Sequence, residues 1–246
     1  MIRVLVYLTP LLLLSALLAA GLSGLGHRWG WWSFGTGFSV LKWAVYAAIA
    51  ALAASLPGLF FTRPGSGQSG FSLMLLVCVI SSAMITVPAY WLYRAKQLPR
   101  IHDISTDTLE PPLFVDLLPL RSEATNTSVY GGSDIAALQR RAYPDITTIT
   151  LPERPELVFK KAVAVAQRLG WEIVATVPDE LRIEATDTTF WFGFKDDIVI
   201  RIRAEGDGSR VDIRSLSRVG LSDVGTNAQR IRSFTKRLVN NDDNAG

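Results

Sequence analysis

The chain has 246 residues, with 25 Lys and Arg against 22 Asp and Glu and a net charge of +3. All 22 acidic residues lie after position 100, so the first hundred residues carry +7 and the remainder, with 18 basic side chains, −4. That asymmetry excludes a chain that is water-soluble throughout. The mildly acidic second half lacks the basic patch a nucleic-acid partner requires, so no nucleic acid is expected.

Residues 1–96 read as a transmembrane region with three apolar stretches, about 4–25, 38–61 and 71–93. A helix rises about 1.5 Å per residue, so twenty residues cross a hydrocarbon layer of about 30 Å. A carboxylate at the bilayer centre costs at least about 2.5–3.5 kcal/mol, which accounts for the absence of acids here. The first stretch exceeds a signal-peptide core, although small residues follow it, and it is read as a retained helix. The single cysteine, Cys78, lies inside the third stretch and reads as a small apolar residue. The lipid bilayer is thus the first expected partner.

Residues 97–150 form a segment rich in Pro, Thr, Ser and Asp, expected to be an extended strap with a short helix near 133–141 capped by Ser133 or Asp134. Residues 151–241 are more regular. Val158, Ala162, Val165 and Leu169 fall at helical spacing and Gly170 follows as a stop signal. Four runs of strict alternation come next, around Trp171–Val177, Leu181–Ala185, Ile198–Ala204 and Val211–Ile213, and a last helix is expected near 227–239. Alternation with one polar face predicts half-buried antiparallel strands. The fold class expected is α+β: three transmembrane helices, then a two-layer domain with a four-stranded antiparallel meander flanked by two helices. Residues 242–246 are expected to be a disordered tail.

Three clusters carry residue types suited to chemistry or binding. The first holds His102, Asp103, Ser105 and Asp107 within six residues. A metal would use the acids and histidine, and a hydrolase His102 with Ser105, but neither spacing matches a ligand or triad pattern. No metal and no cofactor are expected. A turn-rich strap bonding its own backbone is the plainer alternative. The second cluster runs from Thr189 to Asp197 and sets Phe190, Trp191, Phe192 and Phe194 beside Asp196 and Asp197. Its aromatics suit a ligand wall, and core packing is the plainer alternative. The third holds Ser217, Arg218, Ser222, Asp223 and Asn227, followed by Arg230. Small polar residues with arginines at a helix start can hold an anion or simply cap the helix.

The segments IHDISTD with its PP-L-F continuation, GWEIV, TTFWFGFKDDIVIRI and SRVDIRSLSRVGLSDVGTNAQRIRSF together resemble the bacterial domain-of-unknown-function 1499 family, over about 97–240. The three preceding spans resemble its membrane-anchored members. The resemblance implies an uncharacterized, envelope-located protein of the cytoplasmic (inner) membrane, with its domain exported to the periplasm, and no activity to carry over. Basic-residue counts point the other way: two flank the side of the N-terminus and five the side of the domain, which favours a cytoplasmic domain. The function expected is a binding or interaction module, with no catalytic residue assigned, for an amphipathic or lipid-like molecule or an envelope protein. Its contacts would be His102, Asp103, Asp107, Trp191, Phe192, Asp196, Asp197, Ser217, Arg218, Ser222, Asp223, Asn227 and Arg230. The alternative is an envelope hydrolase using His102, Asp103, Ser105 and Asp107.

Overall fold

The computed structural model describes residues 2–240, and the tail expected at 242–246 lies outside them. The chain forms two compact units. One comprises residues 1–94 with Phe190–Gly193, and the other Ala95–Thr189 with Phe194 onward.

The first unit contains α1 (Ile2–Arg28), α2 (Phe34–Phe61) and most of α3 (Phe71–Gln97), each long and apolar enough to cross a membrane. Because lipid is as apolar as leucine, close backbone approach replaces the hydrophobic effect as the packing force. The buried stripe of α2 is accordingly small: Gly37, Ala44, Ala48, Ala51, Ser55 and Gly58. A Cβ on Gly58 would stand 2.6 Å from the sulfur of Met74, and one on Gly37 2.5 Å from the Ser23 carbonyl oxygen. Phe190–Gly193 belong to the same unit: Phe192 stacks on Phe38 at 4.8 Å, and the Trp191 indole N–H donates to the Gly21 carbonyl at 3.1 Å.

The second unit is the α+β domain. Its strands are β1 (Asp103–Ser105), β2 (Ile149–Leu151), β3 (Glu172–Val177), β4 (Arg182–Thr188), β5 (Lys195–Glu205) and β6 (Gly208–Ser217). The order is β1-β6-β5-β4-β3, all antiparallel, and β2 also pairs with β6. The sheet therefore has six strands where the alternation pattern predicts four. The two extra strands are three residues long, too short for period two to show. β1 lies opposite Arg214–Leu216 and β2 opposite Ser209–Val211, so the strap contributes to the sheet at both ends of β6.

Three further helices complete the unit: α4 (Gly132–Ala142), α5 (Pro155–Arg168) and α6 (Thr226–Asn240). The expected cap of α4 by Ser133 or Asp134 is not formed; Gly131 takes the N-cap position without a side-chain bond. The end of α5 matches expectation. Gly170 adopts φ +77°, its N–H reaches the Gln167 carbonyl, and the Trp171 N–H reaches Ala166. This paired bonding satisfies the last helical carbonyls and needs a left-handed residue, which glycine adopts without Cβ strain.

One sheet face packs Ile183, Ala185, Ile198, Ile200, Ile202, Val211 and Ile213 against Val158, Ala162, Val165, Ile231, Phe234 and Leu238 of α5 and α6. The opposite face, expected to meet water, is covered by the strap. Arg182, Glu184, Asp197, Asp212 and Arg214 are all buried there, alongside a small apolar cluster of Phe114, Leu117, Val199 and Leu216. Period two reports which side chains share a face, but not what covers that face.

Candidate functional site

β5 and β6 turn adjacent side chains to opposite sides, so Asp196 and Asp197 open onto different networks. On the strap side, Asp197 is buried between Arg121 and Arg218. Arg218 Nε reaches both carboxylate oxygens at 3.1 and 2.9 Å, and its Nη1 donates to the Leu120 carbonyl at 2.8 Å. Thr186 donates a further bond to Asp197 at 2.9 Å. Next along the sheet, Glu184 accepts the backbone N–H groups of Val115 and Leu117 at 2.7 and 2.8 Å and pairs with Arg182.

Arg214 holds the centre of this face. It grips Asp103 through two bonds and donates to the carbonyls of Pro112 and Ser128 at 3.1 and 2.8 Å. Its guanidinium lies 5.0 Å from the Phe114 ring centre and 5.5 Å from that of Tyr130. Burial, reinforced by Asp103, pushes the Tyr130 hydroxyl up to about 12, so it stays protonated. At the other end Asp107 and Asp212 share Arg201 and Arg210. Burial alone would raise Asp212. Bonds from Thr148, Arg201 and Arg210 outweigh it and hold the carboxyl below its ordinary range.

On the helix side, Arg230 of α6 gathers four partners. It donates to Asp187 at 2.8 Å, Asp196 at 2.7 Å, Ser215 at 3.1 Å and the side-chain oxygen of Asn227. Asn227 in turn donates to Ser217 Oγ and the His102 carbonyl, both at 3.0 Å. Asp223 accepts the N–H groups of Gly225 and Asn227 at 3.0 and 2.7 Å and so caps the start of α6. Its burial, aided by Asp196, raises the carboxyl despite those two bonds. Ser222 Oγ accepts the N–H of Val224.

The 101–107 segment and the 217–227 turn therefore meet: Ser217 donates its N–H to the His102 carbonyl at 2.9 Å, and Asp223 donates its N–H to Ile101 at 3.2 Å. Asp196 and Asp197, at the hairpin base, join them through Arg230 and Arg218. Trp191 and Phe192, at the hairpin tip, belong to the other unit. Ser105 donates its hydroxyl to the Asp107 carbonyl at 2.8 Å, while Gln139 brackets the Ser105 backbone at both N–H and carbonyl. Among the described residues, no three His, Cys, Asp or Glu side chains gather where one ion could bind. Sequence reasoning missed Arg121, Asn126, Gln139, Arg182, Glu184 and Asp187, and placed Arg214 only as a cation near the start of the last helix. The strand members among them sit at polar positions of the alternation, which without a covering layer read as solvent-facing.

Chemically, these networks pair each buried carboxylate with a cation or backbone donors. Burying charge is tolerated only when it is paired and hydrogen-bonded. The strap buries apolar side chains of its own, among them Ile104, Phe114 and Leu117, and these bonds staple its polar stretches to the sheet.

Three apolar helices and an arginine-stapled α+β domain define a membrane protein with an appended antiparallel-sheet domain. The family model described as Protein of unknown function (DUF1499) matches residues 103–238, more than half of the chain, and the chain belongs to that family. No curated protein matches it. Among solved structures it is similar to the crystal structure of Ara h 8.0201, with 15% identity over 38% of this chain and 95% of that one and a TM-score of 0.29. A likeness at that score carries no functional argument.

Proposed function

We propose that this protein is a membrane-anchored binding module of the bacterial cell envelope, held in the cytoplasmic membrane with its α+β domain on the periplasmic side, and that it takes an amphipathic ligand. The observation that supports binding over catalysis is the commitment of Asp103, Asp107 and Ser105, which leaves His102, whose buried Nδ1 has no partner among the described residues, without a nucleophile or acid to work with. Asp103 is held by Arg214, Asp107 by Arg201 and Arg210, and the Ser105 hydroxyl by the Asp107 carbonyl. A hydrolytic centre needs a nucleophile and base turned toward a substrate. The rigid, charge-stapled frame suits a preformed surface instead.

Native mass spectrometry of the full chain, extracted in mild detergent, tests this reading. A retained small amphipathic molecule, released on unfolding, is the expected result. A ligand-free spectrum together with turnover of a p-nitrophenyl ester that is lost in Ser105→Ala would replace it with the hydrolase reading.

A further inference from the structure

A groove of about 690 Å³ runs between the strap and strands β4 and β5. That volume falls within the range of about 300–1,000 Å³ typical of small-molecule sites. Its strap wall carries Leu109, which is 92% exposed, and Leu113, which is 72% exposed. Two large apolar side chains this open to water line the same groove, more than the single scattered exposure ordinary surfaces show. Its strand wall carries Arg182, Arg201 and Arg203.

The cationic wall offers a carboxylate one exchangeable cation, Arg203. Arg203 pairs with Glu110 at 2.7 Å, with both partners largely exposed, so the pair is screened and weakly held. Glu110 already shows what chemistry Arg203 accepts. Arg201, deeper in, is committed to the fold through Asp107, Asp212 and the Glu110 carbonyl, and adds positive charge behind Arg203. The Arg203 guanidinium favours planar, two-pronged recognition of a carboxylate.

We infer that this groove binds a single-chain carboxylate amphipath, a fatty acid: the chain lies along Leu109 and Leu113 and the carboxylate takes the place of Glu110 at Arg203 beside Arg201. The inference rests on the binding-module reading and gives that reading its site and ligand class. A carboxylate is favoured over a phosphodiester because the displaced group is itself a carboxylate, so charge and geometry are conserved in the exchange.

The test uses the full chain in amphipol and a palmitic acid carrying a mid-chain diazirine, photolysed and mapped by peptide mass spectrometry. Saturable labelling within 109–115 or 199–203 is expected, competed by oleate and not by dioleoyl phosphatidylglycerol. Arg203→Glu should lower probe affinity about ten-fold or more, the scale of one lost charge-assisted bond. Leu113→Asp should lower it comparably, and both side chains are exposed enough for thermal unfolding to stay as in the parent. Equal competition by the phospholipid overturns the single-chain ligand. Saturable labelling elsewhere in 95–240, unmoved by either variant, overturns the groove and leaves the binding module standing. Labelling confined to the membrane helices overturns both.

Discussion

Arg214 donates to both carboxylate oxygens of Asp103, at 2.9 and 2.7 Å, with its own side chain wholly removed from solvent. The pair joins the first strand of the sheet to the last across 111 positions of the chain. Through Pro112 and Ser128 the same guanidinium ties down both limbs of the strap. Asp103 and Arg214 are thus one structural unit in which neither member is tolerable without the other.

Removing one partner should therefore cost more than removing both. Arg214→Met leaves an uncompensated buried carboxylate and is expected to destabilise the domain by about 3–5 kcal/mol. Asp103→Leu should behave similarly. The double variant should recover a substantial part of the loss, since an apolar pair needs no charge compensation. Urea unfolding of all four proteins gives the cycle, and additive losses would show that the two residues act independently.

Trp171 tests the other layer. It is 6% exposed and stacks on Phe234 at 5.6 Å with the rings 19° apart, closing the core where α5 ends. Trp171→Ala is expected to cost about 3–5 kcal/mol. That is a large share of a domain's total stability of about 5–15 kcal/mol. Thermal unfolding of the purified variant, or its susceptibility to protease, reads the change.

Acid should weaken the domain through Asp212. Its folded pKa lies below the unfolded value, so its stabilisation is complete above about pH 4 and is lost as pH falls through the folded pKa. Asp223 has the opposite sign. Burial raises its folded pKa, so its contribution is largest below the unfolded value and fades as pH rises through the raised one. Asp212→Asn should flatten the acid limb of stability against pH, whereas Asp223→Asn should remove a decline on the alkaline side of the same range. Urea midpoints between about pH 3 and 7 distinguish the two.

The side of the membrane is open to direct measurement. Alkaline phosphatase fused after the last residue is expected to be active, as for a periplasmic domain, with the matching fluorescent-protein fusion dark. The reverse pattern would mean that the two-to-five basic-residue count, rather than family resemblance, decides orientation.

The membrane helices and the two-layer class were legible in the sequence because each follows from a local regularity. A run of apolar residues free of acids must avoid water, and period-two alternation must present one apolar face. Gly170 announced the end of α5 because a left-handed residue is needed at that single position. The cap of α4 differs from its local signal: Ser133 and Asp134 suit a cap, while the helix starts one residue earlier, at Gly132.

What the sequence alone determined was the acid-free membrane region, the four long strands with their flanking helices, and the inward face of β4, β5 and β6; in β3 a bulge between Ile173 and Ala175 turns Ala175 and Val177 to the strap side, opposite Glu184 and Arg182. Only the tertiary structure decided that the polar face is also interior. Strand positions such as Arg182, Glu184, Asp212 and Arg214 have the same one-dimensional signature whether they meet water or a partner. Their partners Asp116, Val115, Thr148 and Asp103 stand 64 to 111 positions away. A pattern of period two records which side a residue faces. The cost of burying its charge, and the pairing that offsets that cost, exist only once distant segments are brought together.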